Sequence, residues 1–120
     1  KRARGWQSLA DGVGQYTAAH PEAILVADDR ELIAHLLYRL KPREYAAWNP
    51  DGLPRDHYEL VTRLDDKTGR DVIYVSRRES IPDIAARFES SETLGKVVVP
   101  IHRDFRREVH VFLLKGFKGY

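Results

Sequence analysis

The residues with the most potential for chemistry are an acidic pair and an arginine that directly follow a short apolar run. Residues 24–27 are Ile-Leu-Val-Ala, and Asp28, Asp29 and Arg30 come immediately after them. Such a run is typical of a strand that is buried on both faces of a parallel sheet. Ligands of open α/β sheets bind outside the carboxyl ends of the strands. These three residues are therefore candidates for binding a hydroxylated or charged ligand.

Helix capping is a simpler role for the acidic pair. Asp28 and Glu31 have the spacing of a capping box, in which each side chain accepts a hydrogen bond from the other residue's backbone N–H. One such cap stabilises a helix by about 1 kcal/mol. Capping is the favoured role for Asp28. For Asp29, capping and ligand binding are equally open, because one cap does not need two aspartates.

Two further groups of polar residues are expected at the same edge of the sheet. Residues 49–60, NPDGLPRDHYEL, form a turn-rich segment, and from it we select Asn49, His57 and Tyr58 as ligand-binding candidates. A connection of this kind is also ordinary protein surface. Arg77 follows the predicted third strand and completes the candidate set. Its guanidinium suits a phosphate or carboxylate ligand, or it pairs with the aspartates after the first strand.

The sequence lacks the motifs of a self-sufficient active site. It contains no nucleophile elbow and no glycine-rich phosphate loop with its lysine. Gly12 and Gly14 precede the first predicted strand, which is the wrong place for a dinucleotide fingerprint. The chain has no cysteine, and no two of its five histidines have i, i+4 spacing on a helix. We therefore assign no catalytic residue, no metal ligand and no cofactor, and we expect no catalysis from this chain alone.

Length and composition indicate one globular α/β domain over residues 1–120. The chain is 42% hydrophobic and 32% charged, and 120 residues suffice for one real core. The formal charge of +2 reflects arginines scattered along the chain, so we expect no nucleic-acid partner. No apolar run approaches the roughly 20 residues that span a bilayer.

Apolar spacing predicts the elements that position these residues. Helical periodicity occurs in three segments, which are residues 5–19, residues 31–40 and a segment that opens at Ser80 and buries Phe88. Short apolar runs predict three strands, over residues 24–27, 44–48 and 71–76. Two more β-rich runs, residues 94–101 and 108–117, are joined by a charged turn and predict an antiparallel hairpin.

This order of elements predicts an α/β fold, a three-layer Rossmann-like sandwich with a mainly parallel sheet and a C-terminal antiparallel hairpin. The first strand is expected in the centre, with the second and third strands parallel on either side of it. Right-handed crossovers would place helices on both faces of the sheet. The hairpin is expected to extend one edge.

Four segments in this order resemble one protein family. They are ILVADDRELIAHLLYRL at residues 24–40, AAWNPDGLPRDHYEL at 46–60, SRR at 76–78 and LLKGFKGY at 113–120. The set is similar to the soluble C-terminal domain of bacterial membrane glycosyltransferases of the protein O-mannosyltransferase and aminoarabinose-transferase superfamily. The resemblance covers nearly all of the chain.

The resemblance implies an accessory role in a larger enzyme. Enzymes of this family are polytopic inner-membrane proteins that move a sugar from a polyprenyl-phosphate donor to a lipid, glycan or protein acceptor. Their catalytic acidic residues lie in the transmembrane part and map to no residue of this chain. The domain itself would be non-catalytic, lie on the periplasmic face and aid acceptor recognition. Its partners would be the transmembrane part of the same chain and a lipid-linked sugar or acceptor glycan.

The first residues bear on this interpretation in two ways. The chain starts on Lys1-Arg2-Ala3-Arg4 and contains no methionine, so we expect it to be the C-terminal piece of a longer protein. A basic cluster beside a membrane helix favours the cytoplasmic side. Four residues carry little weight, and the periplasmic location remains the expectation.

Two other functions remain open from the sequence. One is a free-standing α/β domain that binds a small molecule, such as a sugar phosphate or nucleotide, at the same edge. Alternatively, the outer strand of the terminal hairpin would pair with a partner protein.

Overall fold

One five-stranded sheet and three helices make up the described part of the chain. The computed structural model describes residues 5–48, 64 and 67–120. In chain order the elements are α1 (Trp6–Ala19), β1 (Ile24–Ala27), α2 (Arg30–Leu40), β2 (Tyr45–Ala47), β3 (Val72–Ser76), α3 (Pro82–Ala85), β4 (Phe88–His102) and β5 (Phe105–Phe117).

The sheet has the strand order β2-β1-β3-β5-β4. β1 pairs in parallel with both β2 and β3, with Val26 opposite Ala46 on one side and Tyr74 on the other. β1 therefore lies between two parallel strands, as predicted, but the predicted central position is wrong, because β3 is the middle strand of the five. β5 pairs antiparallel with β3, and β4 lies at the edge against β5.

The prediction of a mainly parallel, three-layer Rossmann-like sandwich is wrong, because this sheet is mixed. β4 and β5 have 15 and 13 residues, whereas β1 and β3 have four and five. A further parallel strand needs a crossover of a dozen or more residues, usually a full helix. After β3 the chain forms only the four-residue α3. The hairpin therefore supplies much of the sheet instead of a small extension.

Helices lie on both faces of the sheet, as predicted, but one face carries only the four-residue α3. α1 and α2 pack on the same face of the sheet, where Leu9, Leu36 and Ile73 belong to one buried cluster. On the opposite face a second cluster includes Ile84 of α3. Phe88 is not part of a helix but begins β4, opposite Phe117. None of the helices in the described part of the chain is long and apolar enough to cross a membrane.

α1 approaches the hairpin closely at Gly12. A Cβ atom at this position would lie 2.6 Å from Cγ1 and 3.1 Å from Cγ2 of Val97 on β4. Glycine costs about 1 kcal/mol relative to alanine inside a helix. Here the missing side chain lets the helix lie directly on the strand.

Candidate functional site

The carboxyl ends of β1 and β3 lie side by side, since the two strands are parallel neighbours. Asp28 and Asp29 follow β1, and Arg77 follows β3. The structure therefore brings these three predicted residues to one edge, which we call the carboxyl edge. Their binding role stays a prediction.

Arg77 connects the end of β3 to the start of α2. Its Nε lies 3.5 Å from Oδ2 of Asp29, and its Nη2 lies 3.3 Å from Oε1 of Glu31. About half of the Arg77 side chain is exposed (49%), so water screens both ion pairs. Of the two roles predicted for Arg77, pairing with an aspartate is the one present in the structure.

Asp29, and not Asp28, caps α2. The backbone N–H of Leu32 donates to Oδ1 of Asp29 over 3.0 Å. Asp29 has an extended backbone, as an N-cap residue usually does. The capping box predicted for Asp28 and Glu31 is therefore wrong. Asp28 instead follows the alternation of side chains along β1, which places its side chain on the sheet face opposite α1 and α2.

On that face, Asp28 joins a chain of hydrogen bonds. The buried Ser76 hydroxyl donates to Oδ2 of Asp28 over 3.0 Å and accepts from the backbone N–H of Arg78, also over 3.0 Å. The Arg78 guanidinium donates to both carboxylate oxygens of Asp83, at 2.7 and 3.2 Å. This side-chain hydrogen bonding lowers the pKa of Asp83 and keeps it ionised. The chain of contacts ties β1, β3 and α3 together at the carboxyl edge.

Tyr74 precedes Ser76 by two residues on β3, so the two side chains lie on the same face of the sheet. Its hydroxyl is buried, and it has no hydrogen-bond partner among the described residues. Burial raises the pKa of Tyr74 far above its ordinary value, and the nearby negative charge of Asp28 raises it further. The phenol therefore stays protonated near neutral pH and is unsuited to act as a general base.

Four further residues were predicted for this site. Arg30 is the exposed first residue of α2. Asn49, His57 and Tyr58 lie outside the described residues. Trp48 contacts four aromatic rings, those of Tyr74, Phe88, Phe117 and Tyr120, as expected of a core residue rather than a stacking platform.

An open cavity of about 210 Å³ adjoins Arg77 on the α1 and α2 face of the sheet. It lies between Trp6 at the start of α1 and the hairpin residues from Phe105 to Val109. Sequence reasoning missed this cavity, because Trp6 and Arg107 come from opposite ends of the chain. It also missed the role of Ser76, although a single hydroxyl at the end of an apolar strand indicates a buried hydrogen bond.

The arrangement suits binding better than bond making. The carboxylates of Asp28 and Asp29 already accept hydrogen bonds, and Arg77 and Arg78 at the edge are each paired with an acid. No group of three or more metal-binding side chains occurs within residues 5–48, 64 and 67–120. Neither known family models, nor curated proteins, nor solved structures match the chain.

Proposed function

We propose that this chain is an accessory domain of a bacterial membrane glycosyltransferase that transfers a sugar from a polyprenyl-phosphate donor. The domain would be non-catalytic by itself and face the periplasm. It would present its carboxyl edge to the acceptor or to the transmembrane part of the same protein. The four sequence segments that resemble this family support the class of enzyme.

The observation that carries the choice of surface is the placement of Arg77 between Asp29 and Glu31. The two ion pairs are 3.3 and 3.5 Å long and join partly exposed groups. Exposed pairs of this kind contribute between about 0 and 1 kcal/mol. A polar ligand can therefore replace either partner at small cost, while the cap on α2 and the contact between Ser76 and Asp28 hold the surrounding backbone in place.

The test is acceptor kinetics in the full-length protein that contains this chain. We expect Arg77→Ala to raise the KM for the acceptor about tenfold, equivalent to about 1.4 kcal/mol of lost binding, with kcat changed less than about twofold. A binding residue without a part in the chemical step has this effect. Lys115→Ala is the matched control, because Lys115 is an exposed residue at the end of β5 that is remote from the carboxyl edge.

Two results would contradict the proposal separately. Unchanged acceptor kinetics in Arg77→Ala and in Asp28→Asn would remove the carboxyl edge as the contact surface. A parent reading frame without apolar spans upstream of Lys1 would remove the membrane enzyme and favour the free-standing small-molecule-binding domain. The cavity beside Arg77 is the observation that supports this second function.

A further inference from the structure

The outer side of β4 is the long free edge of the sheet. In the strand order β2-β1-β3-β5-β4 the two outer strands are β2, with three residues, and β4, with 15. Among the described residues β4 pairs only with β5, so its other side presents unpaired backbone N–H and C=O groups. Such an edge can accept a further strand, because the main-chain hydrogen bonds of a sheet do not require one particular sequence.

Only the first part of this edge lacks the features that prevent strand pairing. Proteins protect a sheet edge with lysine, proline and β-bulges. The later part of β4 has all three, since it contains Lys96 and Pro100 and its pairing with β5 shifts register after Thr93 and again after Pro100. Residues 88–93 contain no lysine and no proline, and they pair with β5 in one continuous register. We call residues 88–93 the open edge.

The open edge is acidic, and its charge is not compensated. Glu89 and Glu92 are both exposed, and the segment contains no basic residue. Neither carboxylate forms an ion pair or a hydrogen bond within the part of the chain that the structure describes. Glu79, which precedes α3, is likewise exposed and without an ion pair among the described residues. These three carboxylates are therefore available to a cation from outside the chain.

A groove of about 190 Å³ lies between α3 and the open edge. Glu79 and Glu92 both line it, and no basic side chain does so among the described residues. The hydroxyl of Ser91 and the accessible apolar surface of Pro82 and Ala85 complete the walls. Small-molecule sites have volumes of roughly 300–1,000 Å³. The groove is smaller than these and suits a single side chain of a partner.

We propose that a partner protein adds a basic extended segment to the sheet along the open edge. The backbone of the segment would hydrogen-bond to β4, and one arginine side chain would enter the groove between Glu79 and Glu92. A guanidinium suits this position, because its N–H groups match carboxylate oxygens in geometry as well as in charge. The inference gives a chemistry to the strand pairing that the sequence leaves open, and it does not depend on the proposed membrane enzyme.

Charge argues against a second copy of this chain as the occupant. Opposite charges on neighbouring strands stabilise a sheet, whereas like charges destabilise it. Pairing the open edge with itself would bring together the carboxylates of Glu89 and Glu92 from two copies without any cation in either segment. A basic strand would meet the same carboxylates with opposite charge.

The test is a titration of the isotope-labelled chain with a capped hexapeptide of alternating valine and arginine, followed by amide chemical shifts. We expect saturable shifts in residues 88–93 and at Glu79. The same peptide with glutamate in place of arginine should bind at least about tenfold more weakly, because it loses the charge complementarity. A peptide with N-methylated amides should lose about as much, because it cannot extend the sheet. Equal binding of either control peptide, or shifts confined to other acidic surfaces, would overturn the proposal.

Charge-reversal variants test the groove. Glu79→Lys and Glu92→Lys are each expected to weaken binding of the arginine peptide about tenfold. Both side chains are exposed, so the amide spectrum should stay dispersed. Asp104→Lys is the matched control, because Asp104 is an exposed acid at the tip of the same hairpin and remote from the open edge. Parent-like affinity in both glutamate variants, or an equal loss in Asp104→Lys, would refute the site.

Analytical ultracentrifugation of the chain alone tests the other occupant of the open edge. At the concentration of the titration we expect a monomer, because like charges oppose pairing of two open edges. A dimer that the arginine peptide dissociates would assign the open edge to a second copy and overturn the proposal.

Discussion

The protonation state of His35 follows from its neighbours. Its Nδ1 lies 2.7 Å from Nη1 of Arg39. Arginine is only a donor, so Nδ1 must be an unprotonated acceptor and the ring is neutral. Burial lowers the pKa of His35, and the positive charges of Arg39 and Arg107 lower it further against the opposite effect of Glu31. The Trp6 ring, which stacks on the His35 ring with centroids 3.8 Å apart, therefore rests on a neutral imidazole at neutral pH.

This lowered pKa predicts a loss of stability in mild acid. In the unfolded chain His35 titrates near about 6.5, whereas the folded protein takes up the proton only at lower pH. The unfolded state thus binds more protons between these two values, so the free energy of unfolding falls as the pH drops below about 6.5. Urea unfolding at pH 7.5 and pH 5.5 measures the difference.

The matched variants for this prediction are His35→Asn and His102→Asn. His35→Asn keeps an acceptor near Arg39 but cannot titrate, so its stability should depend less on pH across this range, even if it is lower overall. His102 is exposed at the hairpin tip, and its replacement leaves the contribution of His35 in place. A pH dependence in His35→Asn equal to that of the parent would show that His35 does not cause the loss.

At the level of the elements, the contact between α1 and β4 predicts opposite behaviour for two glycines of one helix. An alanine Cβ at position 12 would meet both Cγ atoms of Val97, at 2.6 and 3.1 Å, and this β-branched side chain is stiff about χ1, so it yields only at a cost. Overpacking of this kind costs about 1–3 kcal/mol, against a gain of about 1 kcal/mol in helix propensity. We expect Gly12→Ala to be destabilising by up to about 2 kcal/mol in urea unfolding.

Gly14→Ala is the matched control on the same helix. A Cβ at this position would lie 3.1 Å from Cδ2 of Leu40, the end of a flexible side chain. We expect this variant to be neutral or more stable by up to about 1 kcal/mol. In the double variant Gly12→Ala with Val97→Ala, the two changes should destabilise by less than the sum of the single changes. Simple additivity would contradict the direct contact.

For the whole molecule, Arg70 ties together the amino ends of the three parallel strands. It lies just before β3, and its guanidinium donates to both carboxylate oxygens of Glu44, which precedes β2. Nη2 also donates to the carbonyl oxygen of Glu22, before β1, over 3.3 Å. The hydrogen bond from Arg70 is the main cause that lowers the pKa of Glu44.

Arg70→Ala is therefore expected to lower the free energy of unfolding at pH 7 by about 1 kcal/mol. A bidentate ion pair that links distant segments stabilises the fold only modestly more than a typical exposed ion pair does. Because the folded pKa of Glu44 is depressed, this contribution is present above the unfolded value of about 4.5 and is lost as the pH falls through the folded pKa. Urea unfolding at pH 7 and pH 3 tests both statements. Arg106→Ala breaks a pair within one strand and should cost less, so an equal cost would argue against the role of Arg70.

Local sequence patterns predicted the elements around the carboxyl edge. The helical spacing of Trp6, Leu9 and Val13 predicts α1 within one residue of its bounds. The apolar run Ile24–Ala27 and the amphipathic segment after it predict β1, α2 and the parallel position of β1 between two strands. These features depend on residues that are close in sequence, where periodicity is informative.

Tertiary structure alone decided the rest. The choice of Asp29 over Asp28 as the cap depended on Ser76, 48 residues away, which binds Asp28 on the other face of the sheet. The mixed sheet depended on pairing between β3 and β5, and the cavity depended on Arg107 packing over Trp6. Such contacts depend on which surfaces can bury each other. The sequence by itself therefore determined which segments around the carboxyl edge form strands and helices, whereas long-range packing decided which charges meet and where a ligand has room.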